Sequence, residues 1–301
     1  MPGGHGPMSA RLWTDSRHCA ELNGMTQKAI VTAGTGGLGF EVARQLARLD
    51  HDVVIVGRDP ERGVAAARTI GGRFVQADLS VLAEVRALGE RLAAAGPWQL
   101  LVNNVGGMWS ERWETAEGIE ASFAVNHLSP LVLTEALLDS LRAGRPSRIV
   151  DVTSSSIQAA LTLGTPSYAE VEPGEYYGMA VSGRAKLAHL AYNRELAERL
   201  RGSGIAVFAA DPGAAATPNA AEMTPEILPP ALRPMWEQIL EGVQRPASEA
   251  ARSIVFAATD PSLDTGLVIG PDRTPSEDLT AALTDELVAA ARDLTERVLK
   301  Q

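Results

Sequence analysis

Seven short apolar runs separated by stretches of helical periodicity dominate this sequence, and they leave few folds open. The runs are KAIVTA (28–33), DVVIVG (52–57), FVQAD (74–78), QLLVNN (99–104), RIVDVTSS (148–155), IAVFAADPG (205–213) and LVIG (267–270). Helical period follows at 38–50, 60–70, 81–96, from about 126 to 141, at 182–201 and at 248–259. Strands that are apolar at successive positions have no face to give to water, so they belong in a parallel sheet covered on both sides. Right-handed crossovers then predict a doubly wound α/β domain of about seven strands, helices on both faces, with a ligand crevice at the strand carboxyl ends. Leu279, Leu283, Leu287, Ala290, Leu294 and Val298 recur at helical spacing and predict a core-facing closing helix.

Composition removes several classes of function. With 27 basic against 37 acidic side chains the net charge is −10, which opposes binding to nucleic acid phosphates. One cysteine among 301 residues excludes an internal disulfide framework and suits a cytoplasmic setting. No apolar run approaches the ~20 residues of a membrane span. The five histidines are scattered without ligand spacing, so no metal site is expected. Residues 1–24 lack an apolar period and are expected to be a flexible extension or to precede the true start. The domain is expected to occupy 25–301.

The turn after the first strand reads Thr32-Ala33-Gly34-Thr35-Gly36-Gly37-Leu38-Gly39. Small residues there let backbone amides approach a pyrophosphate, whose charge the following helix amino terminus favours. Gly34, Thr35, Gly37, Leu38 and Gly39 are therefore the expected dinucleotide cradle. The second strand ends in Gly57-Arg58-Asp59; an arginine there suits a 2′-phosphate and a carboxylate a free 2′-hydroxyl. Arg58 stands at the first suitable position, which favours NADP(H) over NAD(H). Asp78 and Leu79 are expected near the adenine, and Asn104 and Gly106 near the nicotinamide.

These segments together resemble the short-chain dehydrogenase/reductase family, in its retinol-dehydrogenase-like branch. The resemblance spans roughly 27–300 and rests on TAGTGGLG, GRD, ADLS, LVNNVGG, FAVNHLSPLVLTEALL, RIVDVTSSS, AKLAHLAYNRELAERL, DPGAAAT and IGPD, in family order. It implies a single Rossmann-type domain and an NAD(P)-dependent oxidoreductase acting on a carbonyl or alcohol. It also implies that Asn126 holds a water relay, that Ser154 polarises the substrate oxygen, and that Lys186 binds the nicotinamide ribose. Pro212, Gly213 and Thr217 in DPGAAAT join the implied cofactor contacts.

The family's tyrosine falls four residues before the lysine, and here that position is Ser182. Four residues along a helix share one face, so no other helix position replaces the phenol without a shift. A serine hydroxyl is shorter and far less acidic. Three explanations stay open: Tyr177 or Tyr176, on the loop before the helix, supplies the proton; a water relayed through Ser154, Ser182 and Lys186 does so; or hydride transfer has been lost. The leading expectation is an NADP(H)-dependent oxidoreductase with an atypical proton donor, acting on a small molecule that is a bulky hydrophobic carbonyl or alcohol. The alternatives are a cyclase, isomerase or dehydratase on the same fold, and a nucleotide-binding protein without turnover. Met108, Trp109, Trp113, Ile157 and Tyr177 are the expected substrate wall, and 214–246 the expected lid. Glu170, Glu172 and Glu175 read as solvated loop charge, His127 and His189 as structural. Relatives include both monomers and homodimers, so both remain expectations here.

Overall fold

The computed structural model describes residues 26–154, 156–162 and 175–300. The 1–24 extension, Glu170 and Glu172 lie outside the described residues.

Strands β1 (Lys28–Val31), β2 (Asp52–Gly57), β3 (Arg73–Gln76), β4 (Leu100–Asn103), β5 (Ser147–Val152), β6 (Ile205–Ala210) and β7 (Val268–Ile269) form one parallel sheet. Their order is β3-β2-β1-β4-β5-β6-β7, so the winding reverses between β1 and β4. The strand interiors explain why both faces are covered. Ile30, Val54, Leu101, Ile149 and Val207 enter one core, while their neighbours Val31, Ile55, Val102, Val150 and Phe208 enter the other. Helices α1 (Gly37–Arg48), α2 (Pro60–Ile70) and, late in the chain, α7 (Ala247–Thr259) close the second core. Helices α3 (Leu82–Ala95), α4 (Ser129–Ala143), α6 (Gly178–Arg199) and α8 (Asp285–Leu299) close the first. Between the last two groups, α5 (Ser156–Thr162) follows β5 and packs on α6.

Three local departures from the sequence-based expectation have physical causes. The helix expected from Asn126 begins earlier: the Glu120 carboxylate accepts from the amides of Ser122 and Phe123 at 2.7 and 2.8 Å. A turn, Ala121–Phe123, and a π-helix, Ala124–Leu128, then lead into α4. Glutamate is an uncommon N-cap, which is why this start is not evident from composition. Helix α6 starts at Gly178 rather than Ser182, with extended Tyr177 as its N-cap, and its first residue packs so close to Trp109 that a Cβ would lie 1.9 Å from the Trp109 carbonyl oxygen. The carboxyl-terminal stripe is split into Glu277–Ala281 and α8, the latter capped by the Thr284 hydroxyl, which accepts from the amide of Leu287.

The 214–246 segment carries short helical pieces, Pro218–Ala221, Pro225–Ile227, Pro230–Met235 and Trp236–Gly242, anchored by buried Ile227 and Leu228. Among the described residues, no helix is long and apolar enough to cross a membrane.

Candidate functional site

The winding reversal brings the loops after β1 and β4 together, and buried Thr32 joins them. Its Oγ1 accepts from the amides of Asn104 and Val105 at 2.9 and 3.0 Å, and the Asn104 side chain donates back to the Thr32 carbonyl at 3.1 Å. Gly39 makes this approach possible: a Cβ there would lie 2.4 Å from both the Ala33 carbonyl oxygen and Asn104 Nδ2. Asn104, expected to serve the nicotinamide through its backbone, thus has its side chain committed to the glycine turn. Gly57 plays the same part at the end of β2, where a Cβ would meet the Thr35 side chain at 2.6 Å.

The turn is shaped to receive an anion. Gly36 is the N-cap of α1 and supplies no side-chain cap, the first turn holds no acidic residue, and a Cβ at Gly36 would meet nothing within 4 Å. The first amides of a twelve-residue helix therefore face an open cradle. Thr217 and Pro218, reached by the loop after β6, stand beside Gly37. Within that loop the Gly213 amide donates to the Asp211 carboxylate at 2.7 Å, following directly on Pro212. Burial pushes the Asp211 carboxyl up, against the pull of the Gly213 amide and Arg245.

Ala33 holds φ +49°, the left-handed region that favours glycine. Ala33→Gly should therefore stabilise the fold by about 0.5–1 kcal/mol, read as a rise of roughly 1–4 °C in thermal midpoint. An unchanged or lower midpoint would show that the turn carries no strain.

A second cluster forms around Gly106 and Gly107, just past β4. Asn126, placed by the π-helix, accepts from the Gly107 amide at 3.0 Å and donates to its carbonyl at 2.9 Å. The hydroxyl of Ser182 donates to the same carbonyl at 3.3 Å. The ammonium of Lys186, one turn further along α6, donates to the Val152 carbonyl at 2.8 Å and reaches that of Val105 at 3.4 Å. A Cβ on Gly106 would lie 2.8 Å from Asn126 Oδ1 and 3.1 Å from Lys186 Nζ, so only glycine leaves the three groups this close. Burial pulls the Lys186 ammonium down to about 8, with Asp151 pulling the other way.

The structure therefore brings together Asn126, Ser182, Lys186 and Gly106. Ser154 sits at the carboxyl end of β5, where its Oγ accepts from the Ser156 amide at 3.1 Å. Neither neighbouring phenol joins the Lys186 cluster. The Tyr177 hydroxyl donates to Glu175 at 2.6 Å, which together with desolvation raises its pKa. The Tyr176 hydroxyl donates to Glu120 at 3.3 Å, and burial pushes it up to about 12.

Of the expected substrate wall, Ile157 is displaced: it is wholly buried in the core beneath α6 rather than facing the crevice. Trp109 stacks its ring over Gly107 and meets Trp113 edge-on at 5.4 Å, with Trp113 left exposed. Met108 packs beside Gly178 at the start of α6.

At the far end of the crevice, Asp59 and Arg58 divide their work. The Asp59 carboxylate accepts from the Arg62 amide at 3.0 Å and caps α2, whereas the Arg58 side chain is exposed and, among the described residues, has no hydrogen-bond or ionic partner. Asp78 Oδ1 is turned onto Ser80, accepting from its amide and hydroxyl, and Leu79 beside it is buried.

Comparison with known proteins agrees with this geometry. The family model described as short chain dehydrogenase matches residues 27–227. The chain is 35% identical over 193 residues to retinol dehydrogenase 12 of Mus musculus, covering 61% of this chain and 60% of that protein. It is 38% identical over 208 residues to polyprenol dehydrogenase of Danio rerio, covering 64% and 62%. The match thus spans about 60% of the length of these curated relatives. Among solved structures it resembles a short chain dehydrogenase from Burkholderia cenocepacia J2315 in complex with NADP, with TM-score 0.63, 25% identity, and coverage of 81% of this chain and 95% of that one.

Proposed function

This chain belongs to the short-chain dehydrogenase family, and from that premise we propose that it is an NADP(H)-dependent oxidoreductase acting on a bulky hydrophobic carbonyl or alcohol. The observation that carries the proposal is the convergence of Asn126, Ser182 and Lys186 on the Gly106–Gly107 turn, beside an uncapped helix amino terminus. The retinol and polyprenol dehydrogenases it resembles are named for hydrophobic alcohols, and the Trp109–Trp113 pair offers a surface of matching character.

The residues present fit a pyridine dinucleotide. The amides of Gly37, Leu38 and Gly39 would hold its pyrophosphate, with Thr217 alongside, and Lys186 its nicotinamide ribose. When bound, the nicotinamide supplies or takes the hydride. The protein's own task is then to place the substrate carbon and to move a proton. Ser182 Oγ is too weak an acid to release that proton unaided. Lys186, at about 8, exchanges a proton near neutral pH. The reading these groups support is that Lys186 Nζ holds the proton, and that Ser182 Oγ, with water, hands it to the substrate oxygen near Ser154. Tyr177 and Tyr176 take no part, because their hydroxyls are engaged by Glu175 and Glu120. A non-redox reaction on the same fold is the second reading, favoured by the absence of a phenol from the Lys186 cluster among the described residues. Stopped-flow oxidation of bound NADPH with a panel of apolar aldehydes and ketones separates the two; binding without oxidation would sink the first.

The free guanidinium of Arg58, beside an aspartate used as a helix cap, supports a preference for the 2′-phosphate. Arg58→Ala should weaken NADPH binding about tenfold, or ~1.4 kcal/mol, and leave NADH within twofold. Tryptophan quenching measures both, and an equal loss for the two nucleotides would remove Arg58 from the cofactor site.

A further inference from the structure

Beneath the Lys186 cluster lies a buried polar network that the reaction outlined above does not use. Its centre is Asp151 on β5, 2% exposed. Asp151 Oδ1 accepts from Asn103 Nδ2 at 2.7 Å and lies 3.4 Å from His189 Nε2, while Oδ2 accepts from Asn193 Nδ2 at 2.7 Å. Asn103 also donates to Thr134 Oγ1 at 2.9 Å, and Asn193 to the Phe208 carbonyl at 2.9 Å. Strands β4, β5 and β6 and helices α4 and α6 therefore meet at one carboxylate.

Helical spacing connects this network to the site. Ser182, Lys186, His189 and Asn193 share the sheet-facing side of α6, and all four are buried. Asn193 donates to Asp151 and His189 lies against it at 3.4 Å, while Lys186 itself donates to the carbonyl of Val152, the next residue on β5. Rotating or sliding α6 would break the bonds to Asp151 and withdraw Lys186 from Gly106 together. A lone ammonium in a dry interior is also costly unless a buried opposite charge faces it.

We propose that Asp151 is the positioning residue for Lys186: its carboxylate fixes the register of α6 through its bond from Asn193 and its contact with His189, and it is the buried opposite charge set beneath the Lys186 ammonium. The role assigned to Lys186 in nucleotide binding is the one reading on which the functional consequence rests. The electrostatics agree with the geometry. Asp151 is the group that raises the Lys186 pKa against its burial. Burial pushes the Asp151 carboxyl up, but His189, Asn193 and Asn103 together outweigh it and hold the group below its ordinary range. The other titratable groups packed here are His189, His127 and Tyr192. His127 faces His189 at 5.7 Å and is held well below its usual pKa by burial and by that neighbour. Tyr192 stacks on His189 at 5.6 Å and is pushed well above its usual pKa by burial and by Glu135.

The chain contains three lysines, Lys28, Lys186 and Lys300. Labelling lysine at Cε with carbon-13 therefore gives three NMR signals, assigned with Lys28→Arg and Lys300→Arg. The Lys186 signal should titrate at about 8 in the native protein. In Asp151→Asn it should titrate roughly one pH unit lower or more. Asn103 can accommodate that change, since its amide can turn to present Oδ1, which has no hydrogen-bond partner, to the new side chain. An inflection within a few tenths of a unit of the native value overturns the proposal. Should Asp151→Asn not fold, the coupling is read from the other side, because it is reciprocal. In Lys186→Met, the carbon-13 signal of the Asp151 carboxyl must titrate higher than in the native protein, and an unmoved signal overturns the proposal equally. Neither titration needs nucleotide or turnover, so a protein that proved blind to NADPH yet showed the coupling would refute the redox reading and uphold the role of Asp151.

Discussion

Lys186→Met should lower NADPH-dependent kcat/KM by about 10³–10⁴-fold while the protein still folds. Methionine fills nearly the same space without charge, so what is lost is the donor to the nucleotide and the proton reservoir beside Ser182. The same variant isolates a pH-dependent stability term. In the native fold the Lys186 ammonium is pulled down by burial to about 8, against 10.5 for the free side chain. Below pH 8 both folded and unfolded chains carry the proton, and the full penalty of burying the charge is present. Between pH 8 and 10.5 the unfolded chain still binds a proton that the folded one has released. Unfolding then takes up a proton, and stability rises with pH, by roughly 3 kcal/mol across the window. Denaturant unfolding of native protein and Lys186→Met at pH 7.5 and 10 measures this. The native protein should gain on the variant at the higher pH, and parallel pH dependences would refute a buried, depressed lysine.

Restoring a phenol one turn before Lys186 is the second large change. Ser182→Tyr should raise NADPH oxidation with an apolar aldehyde by about 10²–10³-fold, because a phenol next to an ammonium becomes a usable acid. The larger side chain must displace the Gly107 carbonyl that Ser182 now contacts, so some loss of stability accompanies the gain. Tyr177→Phe in the native background should change turnover by less than about twofold, since its hydroxyl is bound to Glu175 rather than to the Lys186 cluster. If Tyr177→Phe instead abolishes turnover, the loop phenol is the proton donor and the Lys186–Ser182 route fails. If Ser182→Tyr binds NADPH and oxidises none of it, the case for a non-redox reaction strengthens.

Some of the site follows from residue order. The glycine turn is one contiguous segment, and the lysine and the missing tyrosine lie four residues apart on one helix, so their roles depend on local geometry that a tight turn or a helix imposes. Thr32 was not among the expected site residues, although it joins the two loops at the reversal point. Its partner Asn104 is seventy-two residues away, and nothing in the run KAIVTA signals that distance. The hold of Asp151 on α6 requires three strands and two helices to be in place, which no single segment of the sequence signals. Trp109 is expected to line a pocket; that its ring also lies against Gly107 is revealed only by the fold of the loop.

The seven-stranded parallel sheet was determined by the sequence alone, because strands without a polar face have one way to be buried, and strict alternation of their residues fills both cores. Tertiary structure alone decided where the buried charges found partners. Arg148, on β5, donates to the carbonyls of Ala257 and Asp260 at 2.8 and 2.7 Å and closes the end of α7, more than a hundred residues on. The Asp151 network under Lys186 belongs to the same class. Hydrophobic burial is non-directional and is written in residue type and period, whereas a buried ion needs a particular atom at about 3 Å, and which atom arrives there depends on the whole chain having folded.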